Sequence, residues 1–258
     1  MPAPGLDYLN KAAALIENAR AQHETIADAA DLFSRTILAG RMVHVFGSGH
    51  SRIMAEEMWP RYGSFPGWNP IVELSLTFHN PVVGTNGQRQ AMFLENVPGL
   101  AGRILRNFDL GEDDAALVIS SSGCNIVSIE MAEIFQQQQI PVVAMVSLAH
   151  LEASASRRED GKKLCDFADL VLDTGAPAGD AMVMIDGLDT PVSPGSSVGG
   201  CALVNAVKAE VAERLVRAGQ LPRVLTAPCV IGSERAEEIF EAAYDEHAHR
   251  LAGYYKDI

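Results

Sequence analysis

The chain has 258 residues, of which 48% are hydrophobic and 21% charged, so it is long enough to bury a large core within one domain. Asp and Glu number 33 against 20 Lys and Arg, and the formal charge of −13 argues against a nucleic-acid-binding surface while allowing a small anionic ligand in a local pocket. Because no apolar run approaches the roughly 18 residues that span a bilayer, and no signal-peptide pattern opens the chain, we expect a cytoplasmic protein without membrane contact.

The two ends of the chain are predicted to be helical. Apolar residues recur at helical spacing between Leu6 and Gly40, which favours an N-terminal helical hairpin in residues 1–40. Its apolar positions suit packing or contact with another copy of the chain, and it lacks the basic recognition helix of a DNA-reading module. A C-terminal tail, residues 220–258, contains a further helix near 234–251. We expect residues 1–258 to form a single domain with 41–219 as its α/β core.

Apolar runs alternate with helical segments through this core. The runs predict strands at 41–46, 71–76, 115–119, 141–146 and 170–173, with a further edge strand at 181–185. Helices are predicted over 126–135 and 198–218, and over 88–108 with a break at Pro98-Gly99. Uninterrupted apolar strands separated by helices are typical of a parallel sheet covered on both faces.

Three of the predicted strands end in small and hydroxyl-bearing residues. Gly47-Ser-Gly-His-Ser51 follows the first strand, Ser120-Ser-Ser-Gly-Cys-Asn125 follows the third, and Ser147 follows the fourth. In an open parallel sheet, ligands bind outside the carboxyl ends of the strands, near the point where the strand order reverses. Turns of this kind offer backbone N–H groups and hydroxyls to an oxyanion, and the dipole of the following helix favours negative charge. The loops therefore predict a site for a phosphoryl group on a small molecule.

Other glycine-rich motifs fit the first loop less well. It lacks the third glycine of a dinucleotide fingerprint and the Gly-Lys-Ser/Thr ending of a P-loop. Its spacing also differs from the Gly-x-Ser-x-Gly of a nucleophile elbow. The four cysteines form no Cys-x-x-Cys pair, and no ligand spacing signals a metal. We therefore expect reduced thiols, no metal and no cofactor.

Together with Pro194-Gly-Ser-Ser197 before the long helix, the two loops resemble those of the sugar isomerase (SIS) family of phosphosugar-binding domains. The resemblance covers residues 30–218 and is strongest to the branch akin to phosphoheptose isomerase. It implies an α/β three-layer sandwich around a five-stranded parallel sheet of flavodoxin- or Rossmann-like type. It also implies a homodimer or homotetramer, with a small phosphorylated sugar as the ligand.

The resemblance assigns the phosphate to Ser120, Ser122 and Asn125, and it matches Ser51 to a hydroxyl of the first loop. Asn125 stands where the family usually has a hydroxyl, but its amide can still donate to an oxyanion. Because helix capping uses the same geometry, we expect it to account for about half of the serines. The full set of predicted ligand-binding residues comes from the loops and the start of the long helix: Gly47, Ser48, Gly49, His50, Ser51, Ser120, Ser121, Ser122, Gly123, Asn125, Ser147, Ser196 and Ser197.

A sugar-phosphate isomerase needs a base that moves a proton between C1 and C2 and a group that moves protons between the two oxygens. The resemblance points to Glu57, with its neighbour Glu56, on the helix after the first loop. Phosphoheptose isomerases carry a catalytic glutamate there at a spacing about one turn longer. The competing interpretation of Glu57 is a solvated or salt-bridged surface carboxylate.

The second catalytic group of the family is missing from its usual place. Related isomerases have a glutamate or histidine just after the serine turn, whereas this chain has Val198-Gly-Gly-Cys-Ala202. His79 and Glu95 are the predicted replacements, and His50 is a candidate contact to the sugar.

Cys124 and Asp180 each have two open interpretations. Cys124 lies at a predicted helix N-terminus, which lowers a thiol pKa, or it is simply a small side chain that allows close approach of a ligand. Asp180, in a loop rich in glycine and proline, either binds a sugar hydroxyl or caps a turn.

The leading hypothesis is an isomerase that interconverts aldose and ketose phosphates through an enediolate. The alternative enzyme is a phosphosugar lyase, deaminase or etherase that uses the same binding loops. A third hypothesis is a non-catalytic phosphosugar sensor, which the missing acid–base group after the serine turn favours.

Overall fold

The computed structural model describes residues 3–77 and 88–255, and its centre is a five-stranded, all-parallel sheet. The strands lie in the order β2-β1-β3-β4-β5. Their bounds are Val43–Gly47 for β1, Trp68–Ile71 for β2, Ala115–Ile119 for β3, Val142–Val146 for β4 and Leu170–Asp173 for β5. Strands β1, β3 and β4 are buried along their whole length, as continuous apolar runs covered on both faces should be.

Helices cover both faces of this sheet, and the predicted three-layer α/β sandwich is confirmed. On one face, the helical residues Phe33, Met58 and Val207 pack into one buried cluster with β1. On the other face, the helical residues Ile104 and Phe135 pack against the remaining strand residues. The helices are α1 Pro4–Ala21, α2 His23–Leu38, α3 Arg52–Met58, α4 Leu74–Thr77, α5 Gln88–Leu94, α6 Leu100–Leu105, α7 Ile126–Gln137, α8 Leu148–Ala153, α9 Ser196–Arg217, α10 Pro228–Ile231 and α11 Ser233–Ala252.

Several local predictions hold as made. The N-terminal segment is helical as predicted, in α1 and α2, and both helices contact α9. The segment 88–108 is broken into α5 and α6 by Pro98-Gly99. The prediction of a further edge strand at 181–185 was wrong in its place and length: Ala181–Val183 (β6) pairs with Val192–Pro194 (β7) in a separate two-stranded antiparallel ribbon. None of the helices within the described ranges is long and apolar enough to cross a membrane.

The second strand was predicted too late in the chain. It begins at Trp68, which pairs with Val43, and ends at Ile71, and Leu74–Thr77 is a short helix instead. Glu73 explains the early end, because its carboxylate accepts hydrogen bonds from both the N–H and the hydroxyl of Ser75, at 3.3 and 2.8 Å. Such local side-chain bonds compete with strand pairing and start a helical turn.

A buried polar network at the amino edge of the sheet anchors the end of the chain. The hydroxyl of Tyr254 accepts a hydrogen bond from the Met42 N–H at 2.7 Å and donates one to Asp114. Asp114 also receives two bonds from Arg41, at 2.8 and 2.7 Å, and lies 3.4 Å from the ring of His44. The segment after α11 is thereby joined to β1 and to the start of β3.

Candidate functional site

The candidate site lies at the carboxyl ends of β1 and β3, where the strand order reverses. From β1 the chain proceeds to β2 on one side, whereas β3, on the other side, leads on to β4 and β5. Gly47 and Ile119, the last residues of β1 and β3, are paired, so the loops that follow these strands lie side by side. This is the position where parallel α/β sheets open a ligand-binding crevice.

The first loop turns back on itself so tightly that only glycine fits at its start. A Cβ atom on Gly47 would lie 2.6 Å from the carbonyl oxygen of Ser51. Residues Gly49–Ser51 form a 3₁₀ turn that leads directly into α3. His50 lies within this turn, and Ser48 directly precedes it. The Ser48 hydroxyl is directed at the carboxylate of Glu95.

In the second loop, two serine hydroxyls accept hydrogen bonds from the loop itself. Ser120 Oγ accepts from the Gly123 N–H at 3.2 Å, and Ser122 Oγ accepts from the Cys124 N–H at 3.3 Å. A hydroxyl that accepts from the backbone keeps its own hydrogen for a further partner. The turn-capping interpretation and the anion-binding interpretation are therefore compatible for these two residues.

Asn125 occupies the N-cap position of α7, but its side chain makes no capping hydrogen bond. The amide is thus available beside the positive end of a 12-residue helix. It lines a cavity of about 430 Å³ together with Ser122. The other residues that line this cavity are Cys124, His150, Ser154, Ala155, Ser156 and Arg157.

Glu95 links the first loop to the start of α7, which directly follows the second loop. The Ser48 hydroxyl donates a hydrogen bond of 2.8 Å to Glu95 Oε2, and the Glu95 backbone carbonyl accepts one of 3.0 Å from the Val127 N–H in the first turn of α7. Burial raises the pKa of Glu95, although the hydrogen bond from Ser48 and the charge of Arg157 oppose the shift. A carboxylate with a raised pKa beside an anion-binding loop suits a proton-transfer role.

The other predicted carboxylates have different partners. Glu57 Oε1 accepts a hydrogen bond of 3.0 Å from Asn205 of α9, and Oε2 pairs with Arg61 at 2.9 Å. Glu56 is half exposed and lies 3.4 Å from Arg52. His79 lies outside the described residues. The structure thus brings Glu95 to the two loops and ties Glu57 to the long helix α9, and the catalytic role of each stays a prediction.

Ser147 and Ser196 have hydroxyls that serve the fold. Ser147 is buried, accepts a bond from the His150 N–H at 3.1 Å and donates one of 2.6 Å to the Ala176 carbonyl. Ser196 donates its hydroxyl hydrogen to Asp180 at 2.7 Å. In this conformation neither hydroxyl has a hydrogen to offer an anion. Ser197, the next residue of α9, is partly exposed.

The structure bears on the open interpretations of both Asp180 and Cys124. Asp180 accepts the N–H groups of Gly195 and Ser196, at 3.0 and 2.7 Å, so it caps the start of α9. Burial raises the pKa of the Cys124 thiol despite the positive charges of Lys163 and Arg157. The suggestion of a lowered thiol pKa at this helix N-terminus is therefore wrong, because burial outweighs the nearby positive charges.

Sequence reasoning missed His150 and Arg157. Nδ1 of His150 lies 3.3 Å from the hydroxyl of Ser121, and Arg157 forms part of the cavity wall. Both follow β4, and Ser147, the residue directly after that strand, had marked this strand end as polar. The sequence signal that could have indicated Arg157 was the run of polar residues after α8. This run matches no known binding motif.

The described residues hold no group of three His, Cys, Asp or Glu side chains that could bind a metal ion.

Comparison with known sequences identifies the family. The sequence pattern of the SIS domain matches residues 7–147, which contain both loops and Glu95. The chain belongs to the SIS domain family. A UPF0309 protein of Brucella anthropi is 33% identical over 226 residues, which cover 88% of this chain and 90% of that protein. The resemblance drawn from the loop motifs is thereby confirmed.

Solved structures show the same fold. A phosphoheptose isomerase from Neisseria gonorrhoeae is 14% identical, with a TM-score of 0.50 over 80% of this SIS domain protein and 95% of that chain. The sugar isomerase domain of an RpiR transcription factor from Sphaerobacter thermophilus is 16% identical, with a TM-score of 0.50 over 95% and 99% of the two chains. At these identities the likeness establishes the SIS fold, and the activity has to be argued from the site.

Proposed function

We propose that this SIS domain protein binds a small phosphorylated sugar and isomerises it between aldose and ketose forms. One observation carries the proposal: the Glu95 carboxylate accepts a hydrogen bond of 2.8 Å from Ser48 of the first loop, while the Glu95 backbone carbonyl is bonded to Val127 at the start of α7, directly after the second loop. Family membership and the likeness to a phosphoheptose isomerase support it.

The phosphoryl group fits the second loop. The hydroxyl hydrogens of Ser120 and Ser122 and the uncapped amide of Asn125 provide donors of the kind that bind phosphate oxygens. The N-terminus of α7 adds the positive end of the helix dipole. With the phosphate there, the sugar extends toward the first loop, where Ser48 and Glu95 lie.

Glu95 is the proposed base. It takes the proton from C2 of the aldose, which leaves an enediolate, and it returns that proton to C1, while the hydroxyl proton moves from the C2 oxygen to the C1 oxygen. The buried carboxylate suits this role because a pKa nearer neutrality allows it both to accept and to release a proton. Ser48 fixes the orientation of the carboxylate, and His50 and His79 are the candidates for the transfer between oxygens.

Exchange of the C2 proton with solvent deuterium tests the reaction across a panel of aldose and ketose phosphates. Glu95→Gln should lower the exchange rate by about 10²- to 10⁴-fold while sugar-phosphate binding persists. Glu57→Gln is the matched control, because it makes the same change in a carboxylate tied to Asn205 and Arg61. If Glu57→Gln abolishes exchange and Glu95→Gln does not, Glu57 is the base.

The same assay separates the other enzyme hypothesis. Release of ammonia or lactate would indicate deaminase, lyase or etherase chemistry at these loops. An absence of exchange with every sugar phosphate would contradict the isomerase proposal.

A sensor is the second candidate function, and the start of α9 favours it. Val198, Gly199 and Gly200 provide no titratable side chain there, and Gly199 lies directly against the Thr174 carbonyl. Calorimetric binding of an intact sugar phosphate, with no turnover and no exchange, would support this function over the isomerase.

The homodimer or homotetramer implied by the family resemblance also stays a proposal. Light scattering on the purified protein measures the mass of the assembly directly.

A further inference from the structure

We propose that Arg157 is the cation that pairs with the phosphoryl group of the ligand and makes the site select phosphorylated over neutral sugars. The inference rests on the proposed phosphosugar function and adds a charged contact to the neutral donors of the second loop. Three observations carry it: the way the backbone holds Arg157, the position of its side chain in the cavity, and the charge balance of the site.

The backbone around Arg157 is fixed on both sides. Ser156 donates its hydroxyl to the Lys162 carbonyl at 2.5 Å and accepts the Arg158 N–H at 3.1 Å. Arg158 pairs with Glu133 at 2.6 Å and with Asp160 at 2.7 Å. The neighbours of Arg157 are therefore committed to the fold, and the loop has a defined position.

The backbone of Arg157 is hydrogen-bonded to the second loop. Its N–H donates a hydrogen bond of 3.0 Å to the carbonyl of Cys124, between Ser122 and Asn125. The side chain is exposed and lines the same cavity as Ser122 and Asn125. A guanidinium on this wall lies beside the proposed phosphate position.

The charge of Arg157 already reaches the centre of the site. It lowers the pKa of Glu95 on one side and that of the Cys124 thiol on the other, in each case against the larger effect of burial. Lys163 is the other cation whose charge acts on Cys124, but its ammonium group is bonded to the Leu151 carbonyl at 2.5 Å. Arg157 is thus the better placed of the two cations to meet a ligand.

A phosphomonoester needs such a cation here. It brings a charge of about −2 at neutral pH into the cavity lined by Ser122 and Asn125, in a chain whose formal charge is −13. Hydroxyl and amide donors solvate the phosphate oxygens but do not neutralise this charge. The planar guanidinium, which donates two parallel hydrogen bonds to an oxyanion, does both.

Titration calorimetry with inorganic phosphate and with a sugar phosphate tests the inference directly. Arg157→Gln should weaken the binding of both by about ten- to hundredfold, the usual cost of a hydrogen bond to a charged partner. Arg157→Lys should retain part of the affinity, because lysine keeps the positive charge but cannot donate two parallel hydrogen bonds to the phosphate. Arg217→Gln is the matched control, since Arg217 is 76% exposed near the far end of α9 and pairs with Glu213.

Two further measurements separate a ligand contact from a structural role. The thermal unfolding midpoint of Arg157→Gln should equal that of the wild type, because the side chain is exposed. Added salt should weaken phosphate binding by the wild type more than by Arg157→Gln, because screening acts on the charge that the variant lacks.

The outcomes distinguish this inference from the proposed function. If the wild type binds phosphate and isomerises a sugar phosphate but Arg157→Gln binds equally well, the role of Arg157 is refuted and the function stands. If the wild type binds neither phosphate nor any sugar phosphate, both proposals fail. A variant that loses phosphate affinity and keeps its stability supports Arg157 as the phosphate cation.

Discussion

At the scale of single residues, Tyr254 shows how one hydroxyl can hold a chain end in place. Its ring is buried under the guanidinium of Arg41, 4.2 Å from the ring centroid, and its hydroxyl bridges Met42 and Asp114. Burial and the nearby Asp114 carboxylate raise the pKa of the phenol, so it stays protonated and donates. This contact joins the end of α11 to the amino edge of the sheet together with Arg250, whose guanidinium donates hydrogen bonds to the carbonyls of Ile37 and Arg41 at 3.2 and 3.1 Å.

Tyr254→Phe should lower the free energy of unfolding by about 1 to 3 kcal/mol. The variant keeps the ring but leaves the buried Met42 N–H without its acceptor and removes one donor from Asp114. Urea denaturation of the variant and the wild type gives the difference. Tyr255→Phe, at a tyrosine that is 55% exposed, should change stability by less than about 0.5 kcal/mol. Equal effects of the two substitutions would refute the anchoring role.

At the scale of elements, the start of α9 is fixed by close backbone contact. Gly199 packs so tightly on the end of β5 that a Cβ atom would lie 2.1 Å from the Thr174 carbonyl oxygen. Asp180 caps the same end through the N–H groups of Gly195 and Ser196. The first turn of α9 has no acid–base side chain, and at position 199 close packing requires glycine. A side chain at this position would displace α9 from the sheet.

Gly199→Ala should destabilise the protein by more than about 2 kcal/mol, because the new methyl group overlaps rigid backbone. Gly102 is the control, since it is also helical, in α6, and its added methyl would meet only the Ile134 Cδ1 atom at 3.9 Å. Gly102→Ala should stabilise by about 0.5 to 1 kcal/mol through reduced backbone entropy of the unfolded chain. Thermal and urea unfolding of both variants measure the contrast, and stabilisation by Gly199→Ala would contradict the packing account.

At the scale of the whole molecule, the network around Asp114 ties distant parts of the chain together and makes the fold sensitive to acid. Burial alone would raise the pKa of Asp114, but the interactions with His44 and Arg41 outweigh burial and lower this pKa to about 2, from 3.8 for a free aspartate. A carboxyl with a depressed folded pKa stabilises the fold fully above its unfolded pKa. This contribution is lost as the pH falls from about 4 toward 2.

The wild type should therefore lose about 2 kcal/mol of stability through Asp114 between pH 5 and pH 2, beyond the loss from its other carboxylates. Urea denaturation across this range measures the loss. Asp114→Asn should be less stable at pH 5, because Arg41 loses its carboxylate partner, and should show a shallower decline toward pH 2. If Asp114→Asn does not fold, Tyr254→Phe replaces it, because removing a hydrogen bond to Asp114 should also reduce the decline. A decline equal to that of the wild type would contradict this account.

The local pattern of the chain determined the fold class and the position of the candidate site. Each strand that carries a loop of the site is a continuous apolar run that stops at glycine or serine, and such a pattern is contained in a few adjacent residues. Parallel strands place all those stops at one edge, so Gly47–Ser51 and Ser120–Asn125 could be expected to meet. The prediction of β2 was too late in the chain, which shows what local patterns cannot determine. Trp68 joins the sheet by pairing with Val43, and the residues around Trp68 do not indicate this partner.

Only the tertiary structure decided which polar side chains lie near the candidate site. Glu95 lies 47 positions from Ser48 in the sequence, yet its carboxylate accepts a hydrogen bond from the Ser48 hydroxyl. Glu57 is much nearer to the first loop in sequence, but its carboxylate is bonded to Asn205, 148 positions away. The backbone N–H of Arg157 is hydrogen-bonded to the carbonyl of Cys124 in the second loop, although Arg157 comes from a segment without a recognisable motif. Strand and helix patterns depend on neighbours along the chain, but a carboxylate or a guanidinium takes its role from charges and donors that folding brings near it. The sequence by itself therefore determined the sheet and its two loops, and the packing of distant segments determined the base and the cation proposed beside them.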